Sequence, residues 1–193
     1  MKVTTCLVGS FSSGKSTLLK RYVLKNDFQN CKMQPTIGMS GIEQHTIIDN
    51  EQIRNIIFDT AGQERYSSLI PIYLRNCDIL IFTIDPTNYK ESLKYFKTII
   101  TDVINLNKYI VVCYTKCDSI RMLENERVKE IDDILLSYKK SYKIMYTSSF
   151  TGKNVDLAFT FFLKQSVDDK NISTFDKIVE FTQEEPKGCC TIL

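Results

Sequence analysis

The feature that most constrains this fold is an eight-residue loop at residues 9–16, which reads GSFSSGKS. It fits the pattern G-x-x-x-x-G-K-[ST], in which backbone N–H groups surround a phosphate. An apolar run at residues 3–8 precedes the loop, and a segment with helical spacing of apolar residues, 15–25, follows it. The sequence therefore predicts a strand-to-helix turn whose helix N-terminus attracts anions. A chance match is expected in on the order of one chain per hundred of this length, so a nucleoside triphosphate site is the preferred interpretation.

Each residue type in this loop has an expected role. Lys15 should reach the β- and γ-phosphates, and the hydroxyl of Ser16 should bind Mg²⁺. The expected phosphate-binding residues of the loop are Ser12, Ser13, Gly14, Lys15, Ser16 and Thr17.

A second motif, DTAGQE at residues 59–64, begins directly after an apolar run that is typical of a strand. Asp59 is expected to help hold Mg²⁺, and the backbone N–H of Gly62 can approach the γ-phosphate because glycine has no Cβ. Gln63 is the predicted catalytic residue, since its amide can orient the attacking water. The alternative is that these residues form only a turn after a strand. With the loop, the motif predicts a nucleotide whose γ-phosphate is sensed and then cleaved.

Thr36 lies in the sequence PTIG at residues 35–38, between the first helix and the second strand. Its hydroxyl can bind Mg²⁺ only while the γ-phosphate holds this loop closed. We therefore expect Thr36 among the phosphate-binding residues, and we expect Ser16, Thr36 and Asp59 to be the metal ligands.

The sequence TKCD at residues 115–118 follows a buried strand and is expected to read the base. The Asp118 carboxylate can accept hydrogen bonds from the ring N–H and the exocyclic amine of guanine, an edge that adenine lacks. Lys116 can pack its stem along the ring. Thr115 belongs to the same predicted site, and the backbone N–H groups of Ser148 and Ser149 can complete it.

Apolar runs of strand length alternate with segments of helical period, which predicts a parallel α/β sheet covered on both faces. Residues 41–48 and 52–58 form the one predicted hairpin. The expected fold is a P-loop NTPase with a six-stranded, mostly parallel sheet, one antiparallel edge strand and about five helices. Helices are expected at 15–25, near 67–75, and at 93–106, 128–138 and 155–163. We predict one GTPase domain at 1–165 and a flexible tail at 166–193.

Composition limits the other classes of function. The 193 residues carry a net charge of +2 and no basic stripe, so nucleic acid is a poor partner. No apolar run is long enough to span a bilayer. Of the seven cysteines, Cys6 and Cys113 lie inside apolar strand-like runs, whereas Cys31, Cys77 and Cys117 are scattered without ligand-type spacing. This pattern favours reduced thiols in a cytosolic protein.

The chain resembles the small GTPases of the Ras superfamily, and most closely the Rab branch. The likeness covers about residues 2–165 and is strongest at PTIG (35–38), DTAGQERY (59–66) and TSSFTGKNV (147–155). The resemblance implies a monomeric domain that cycles between GTP and GDP with Mg²⁺ and acts in vesicle traffic. It also implies an exchange factor, a GTPase-activating protein, a GDP-dissociation inhibitor and effectors as partners. By the same resemblance, Phe28 is assigned as an aromatic lid on guanine.

Several residues depart from the Rab pattern. Phe11 stands where the family has a glycine or another small residue, beside the γ-phosphate. A benzyl group there would crowd Gln63, its water and an activator's arginine, which predicts slow hydrolysis and a long-lived GTP state. The alternative is that Phe11 turns outward. Met39-Ser40-Gly41 changes the effector loop, and Phe150 replaces a lysine.

The last four residues, Cys190-Thr191-Ile192-Leu193, fit the prenylation pattern C-a-a-X. One lipid chain gives only marginal membrane binding, so a second anchor is expected at Cys189. This predicts a protein on the cytoplasmic face of an intracellular membrane, with a soluble cytosolic pool.

Two other functions stay open at this point. A pseudo-GTPase that binds nucleotide without hydrolysing it is supported by Phe11 and the altered effector loop. A P-loop kinase that uses ATP would need a different base pocket, and Asp118 argues against it.

Overall fold

A computed structural model of the protein describes residues 1–30, 39–48, 50–60, 70–103, 105–106, 108–119, 125–136 and 141–168. The strands are β1 (Lys2–Gly9), β2 (Met39–Ile48), β3 (Glu51–Thr60), β4 (Ile79–Ile84), β5 (Tyr109–Tyr114) and β6 (Tyr142–Tyr146). The helices are α1 (Lys15–Leu24), α2 (Ile70–Asn76), α3 (Tyr89–Val103), α4 (Asn125–Leu135), α5 (Val155–Thr160) and α6 (Leu163–Asp168). Lys25–Asn30 and Pro86–Asn88 form 3₁₀ turns.

The six strands form one sheet in the order β2-β3-β1-β4-β5-β6. Only the pair β2–β3 is antiparallel, and all other neighbouring pairs are parallel. The predicted sheet, with one antiparallel edge strand, is therefore confirmed. Because β1, β3, β4, β5 and β6 run parallel to one another, their carboxyl ends meet at the same edge of the sheet.

The sheet has a buried core on each face, because apolar side chains alternate between its two faces along the central strands. Strands β4 and β5 are buried along their whole length. Alternate side chains point to opposite faces, so Leu80 and Phe82 pack with α2, α3 and α4, whereas Ile79 and Ile81 pack with α1, α5 and α6. These two layers hold the loops at the carboxyl edge in place.

Two helices differ from the sequence expectation. Helix α3 begins at Tyr89, four residues before the predicted start. The Asp85 side chain accepts a hydrogen bond from the backbone N–H of Thr87 and caps the turn that leads into this helix. The predicted final helix consists of two pieces, α5 and α6, and the second continues to Asp168. Its buried face includes Ser166, a polar residue that hid the helical period.

The remaining described segments agree with the predicted elements to within a few residues. Strand β2 begins at Met39, two residues before the predicted start at 41. The thiols of Cys6, Cys77 and Cys113 are free and buried, and burial raises the pKa of Cys77 to about 12. Among the helices described, none is long and apolar enough to cross a membrane.

Candidate nucleotide-binding site

The phosphate loop, residues 9–16, is packed tightly against the end of β4. A Cβ on Gly9 would lie 2.2 Å from the hydroxyl oxygen of Thr83, so only glycine fits at this position. The hydroxyls of Ser13 and Thr83 lie 2.6 Å apart, and both residues are fully buried. Gly14 has a φ of 93°, which favours glycine and lets the chain turn into α1. Contacts within the protein therefore determine the shape of the loop, without any contact to a ligand.

Lys15 begins α1 and is only 5% exposed. Its ammonium donates hydrogen bonds to the backbone carbonyls of Gly9 and Ser10, each at 2.8 Å. Burial lowers the pKa of Lys15 to about 8, although the nearby charge of Asp59 opposes this shift. A buried cation whose donors are held inside the loop is suited to phosphate oxygens.

Ser16 and Asp59 bring a hydroxyl and a carboxylate together beside the phosphate loop. The Ser16 hydroxyl donates a hydrogen bond of 2.5 Å to an Asp59 carboxylate oxygen. Asp59 lies near the end of β3, is 3% exposed, and is aligned with Leu7 of β1. Both are hard oxygen donors of the type that Mg²⁺ prefers, so the pair fits this metal. The described residues contain no cluster of three His, Cys, Asp or Glu side chains.

On the base side, Asp118 is held by the loop after β6. The Ser148 hydroxyl donates a 2.5 Å hydrogen bond to Asp118, and the Ser119 hydroxyl donates another at 3.1 Å. The bond from Ser148 is the main reason that the pKa of Asp118 is lowered. Asp118 is exposed and stays ionised at neutral pH, so it presents a carboxylate that can accept from guanine.

The loop after β6 has a fixed shape of its own. The Ser148 hydroxyl also accepts from the backbone N–H of Thr151, and the Ser148 carbonyl accepts from the N–H of Gly152. Ser149 lies in the turn between these contacts. The turn therefore holds the Ser148 hydroxyl that bonds to Asp118.

Thr115 and Lys116 connect the base side to the phosphate loop. The Thr115 hydroxyl donates to the Ser13 carbonyl at 2.8 Å. The Lys116 ammonium forms a 2.6 Å ion pair with Asp85 and donates to the Ser12 carbonyl at 3.1 Å. The Lys116 ammonium therefore links Asp85, at the end of β4, to the phosphate loop, in addition to any contact that the Lys116 stem makes with a base.

Asp85 is a charged residue of this site that sequence reasoning missed. It is 4% exposed and follows β4 directly. Burial raises its pKa, but the bonds from Lys116 and Thr87 outweigh burial and the net pKa is lowered. An acidic residue at the end of a predicted buried strand, like Asp59 after β3, was the available signal.

Phe28 lies in the 3₁₀ turn after α1 and is buried. The guanidinium carbon of Arg21 lies 5.4 Å from the centre of its ring. Phe11, in contrast, is 49% exposed at the phosphate loop and belongs to neither core cluster.

The predicted residues Thr36, Gly62, Gln63, Cys189 and Cys190 lie outside the described residues.

Comparison with known proteins agrees with this geometry. The model of the Ras family matches residues 4–168. The chain is also 32% identical over 161 residues to the GTP-binding protein ypt5 of Schizosaccharomyces pombe, which covers 82% of this chain and 75% of ypt5. This chain is a divergent Rab-family small GTPase.

Other Rab proteins align over much of the chain. Mouse Rab-26 is 31% identical over 159 residues, which is 82% of this chain but only 60% of Rab-26. RABA1h of Arabidopsis thaliana is 28% identical over 186 residues, which covers 94% of this chain and 82% of RABA1h. These alignments agree with the assignment of this chain to the Rab family.

Proposed function

We propose that this Rab-family chain is a molecular switch that binds GTP, hydrolyses it to GDP, and recruits effectors in membrane traffic while GTP is bound. The observation that supports this most strongly is the 2.5 Å contact between Ser16 and Asp59, next to the buried ammonium of Lys15. A binding protein for an unphosphorylated base would have no need for a buried cation and a hard-oxygen pair at the same edge of its sheet.

On the phosphate side, Lys15 exchanges the carbonyls of Gly9 and Ser10 for the β- and γ-phosphate oxygens. Ser16 and Asp59 would hold Mg²⁺, together with Thr36 when that loop closes. The ion supplies charge neutralisation for the phosphates when it is bound. Backbone N–H groups of the loop and the N-terminus of α1 add further positive potential.

On the base side, Asp118 accepts from the two N–H groups on one edge of guanine, and Ser148 keeps this carboxylate oriented and ionised. Adenine offers no matching pair of donors, so its nucleotides leave the carboxylate without partners. The specificity for guanine follows from this carboxylate.

For hydrolysis we propose that Gln63 orients the attacking water. Phe11 slows this step, because a benzyl group in the phosphate loop competes for space with that water and with an activator's arginine. The exposed ring of Phe11 also offers a switch partner an apolar contact at the edge of the site. A protein of this kind stays in its GTP state for long periods.

A single-turnover assay of bound GTP with Mg²⁺ tests the proposal, using wild type, Phe11→Gly and Gln63→Leu. We expect slow hydrolysis by wild type, a faster rate for Phe11→Gly, and a further loss for Gln63→Leu. Leu136→Gly is the control, because Leu136 is an exposed apolar residue just after α4 and belongs to neither the phosphate loop nor the loop after β6.

Two results would contradict parts of this account. If wild type hydrolyses GTP at the ordinary intrinsic rate of small GTPases, and an activator raises that rate strongly, then Phe11 does not slow hydrolysis. If wild type, Phe11→Gly and Gln63→Leu all bind GTP tightly but none of them hydrolyses it, the result would favour the second candidate function. This function is a pseudo-GTPase that acts as a nucleotide-stabilised binding module. The presence of a phenylalanine at position 11 of the phosphate loop is the observation that keeps this candidate open.

Membrane attachment through Cys189 and Cys190 stays a prediction from the sequence. It requires that both thiols are accessible to a prenyl or acyl transferase. We expect Cys189→Ser to weaken membrane retention of the full chain, and full retention would contradict the two-anchor prediction.

A further inference from the structure

We propose that Arg21 is a positioning residue that joins the two walls of the guanine pocket and thereby slows the release of nucleotide. This inference rests on the proposed function and deepens it. The two walls are the turn that contains Phe28 and the loop at residues 148–153. Arg21 itself belongs to neither wall, because it lies on α1.

Arg21 contacts the first wall, the turn that contains Phe28, in two ways. The Arg21 guanidinium lies over the Phe28 ring, with 5.4 Å between its carbon and the ring centre. This distance is within the range of a cation–π contact. One N–H of Arg21 also donates a 2.9 Å hydrogen bond to the Lys25 carbonyl.

That hydrogen bond is placed where the chain leaves α1. Lys25 has a φ of 47° and a ψ of −105°, an unfavourable conformation for a residue with a side chain. The turn that contains Phe28 starts at this residue. Arg21 therefore stabilises the strained backbone from which the turn that contains Phe28 begins.

The second wall is held by close packing beneath Gly152. A Cβ on Gly152 would lie 2.8 Å from one terminal nitrogen of Arg21 and 3.3 Å from its Nε. The guanidinium thus lies close against Gly152, and a Cβ at this position would require the guanidinium to shift. Gly152 is hydrogen-bonded to Ser148, and Ser148 orients Asp118.

These contacts connect the proposed aromatic lid on guanine to the carboxylate that is proposed to bind guanine. The residues along this chain of contacts are, in order, Phe28, Arg21, Gly152, Ser148 and Asp118. A nucleotide can leave only if the lid turn or the loop moves, and Arg21 restrains both. The phosphate loop lies outside this chain of contacts, because it is held by Thr83, Thr115 and Lys116. The effect of Arg21 should therefore depend on the base.

Lysine cannot replace arginine fully here. It can keep a positive charge over the Phe28 ring, but it lacks the planar fork that reaches Lys25 and Gly152 at once. We expect Arg21→Lys to lie between wild type and Arg21→Ala in every measurement of nucleotide release.

The test uses the full chain loaded with a fluorescent GDP analogue, and it measures the dissociation rate of the analogue with Mg²⁺ present. We expect Arg21→Ala to raise the rate roughly tenfold, as the loss of a cation–π contact and one hydrogen bond implies. Arg75→Ala is the matched control, because Arg75 is an exposed arginine at the end of α2. It should release GDP at the wild-type rate.

A second readout separates positioning of the base from general damage to the fold. We expect Arg21→Ala to reduce the preference for GDP over ADP while leaving the affinity for inorganic triphosphate unchanged. Equal losses for GDP, ADP and triphosphate would overturn the proposal, as would an unchanged release rate. Failure of wild type to prefer GDP would instead contradict the proposed function.

A double-mutant cycle with Gly152→Ala isolates the contact itself. Alanine at Gly152 suffers both from its φ of 84° and from the clash with Arg21. In the Arg21→Ala background only the φ effect is left, so the two changes should be less than additive in the release rate. Strict additivity would show that Arg21 and Gly152 do not act together.

Discussion

The two sides of the nucleotide site are held in different ways. The phosphate side is buried and bonded directly to the ends of β4 and β5, through Ser13 with Thr83 and through Thr115 with the Ser13 carbonyl. The base side has an exposed carboxylate, Asp118, that depends on a hydroxyl from another segment. We therefore expect binding strength to come mainly from the buried phosphate side, and the choice of base to come from the side that contacts between distant segments assemble.

The same difference indicates which side of the site opens first when nucleotide is released. The phosphate loop cannot open without breaking buried hydrogen bonds, each of which is costly to leave unpaired. The base side can open by movement of the Phe28 turn or of the loop at 148–153. We expect nucleotide release to begin on the base side.

The largest predicted effect tests the phosphate side. Lys15→Met removes the buried cation and should weaken GDP binding by roughly 10²–10³-fold or more, as expected when one partner of a buried charge pair is lost. The loss should be equal for GDP and ADP, because Lys15 does not read the base. Titration with fluorescent nucleotides measures it, and a loss confined to GDP would contradict the comparison.

A smaller effect concerns pH. The pKa of Lys15 is lowered to about 8, so at pH 8.5 about three-quarters of the nucleotide-free protein has a neutral Lys15. Bound phosphates restore the charge, and binding should therefore take up a proton and weaken about fourfold between pH 7 and pH 8.5. The pKa of Asp118 is lowered, so the base side does not titrate in this range.

Calorimetry in two buffers with different ionisation enthalpies measures this proton uptake. At pH 8.5 we expect the observed enthalpy of GDP binding to differ between the buffers in proportion to their ionisation enthalpies. At pH 7 the part of this difference that comes from Lys15 should be small. Identical enthalpies in both buffers at pH 8.5 would contradict the assignment of a lowered pKa to Lys15.

The phosphate side was also the more predictable from the sequence. Residues 9–16 are contiguous, and their geometry follows from a strand, a glycine turn and a helix in succession, so Lys15 and Ser16 lie where the pattern places them. The sheet followed from apolar runs such as β4 and β5, whose burial needs no knowledge of distant residues. Local patterns of this kind carry their own structural information.

The base side was less predictable, because its contacts join segments far apart in the chain. Nothing near Lys116 indicates its ion pair with Asp85, and nothing near Gly152 indicates Arg21. The start of α3 was also wrong in the prediction, since the cap from Asp85 extends the helix beyond its apolar period. Such side-chain contacts depend on the tertiary arrangement of strands and helices.

Specificity for guanine is the central claim of this account, and Asp118→Asn tests it most directly. We would measure the affinities of wild type and this variant for GDP, ADP and xanthosine diphosphate by competition against one fluorescent nucleotide. The account predicts that the variant loses roughly 10²-fold in GDP affinity and prefers xanthosine diphosphate, whose base presents an acceptor where guanine presents a donor. Equal binding of ADP and GDP by wild type, or no change in preference on Asp118→Asn, would contradict it.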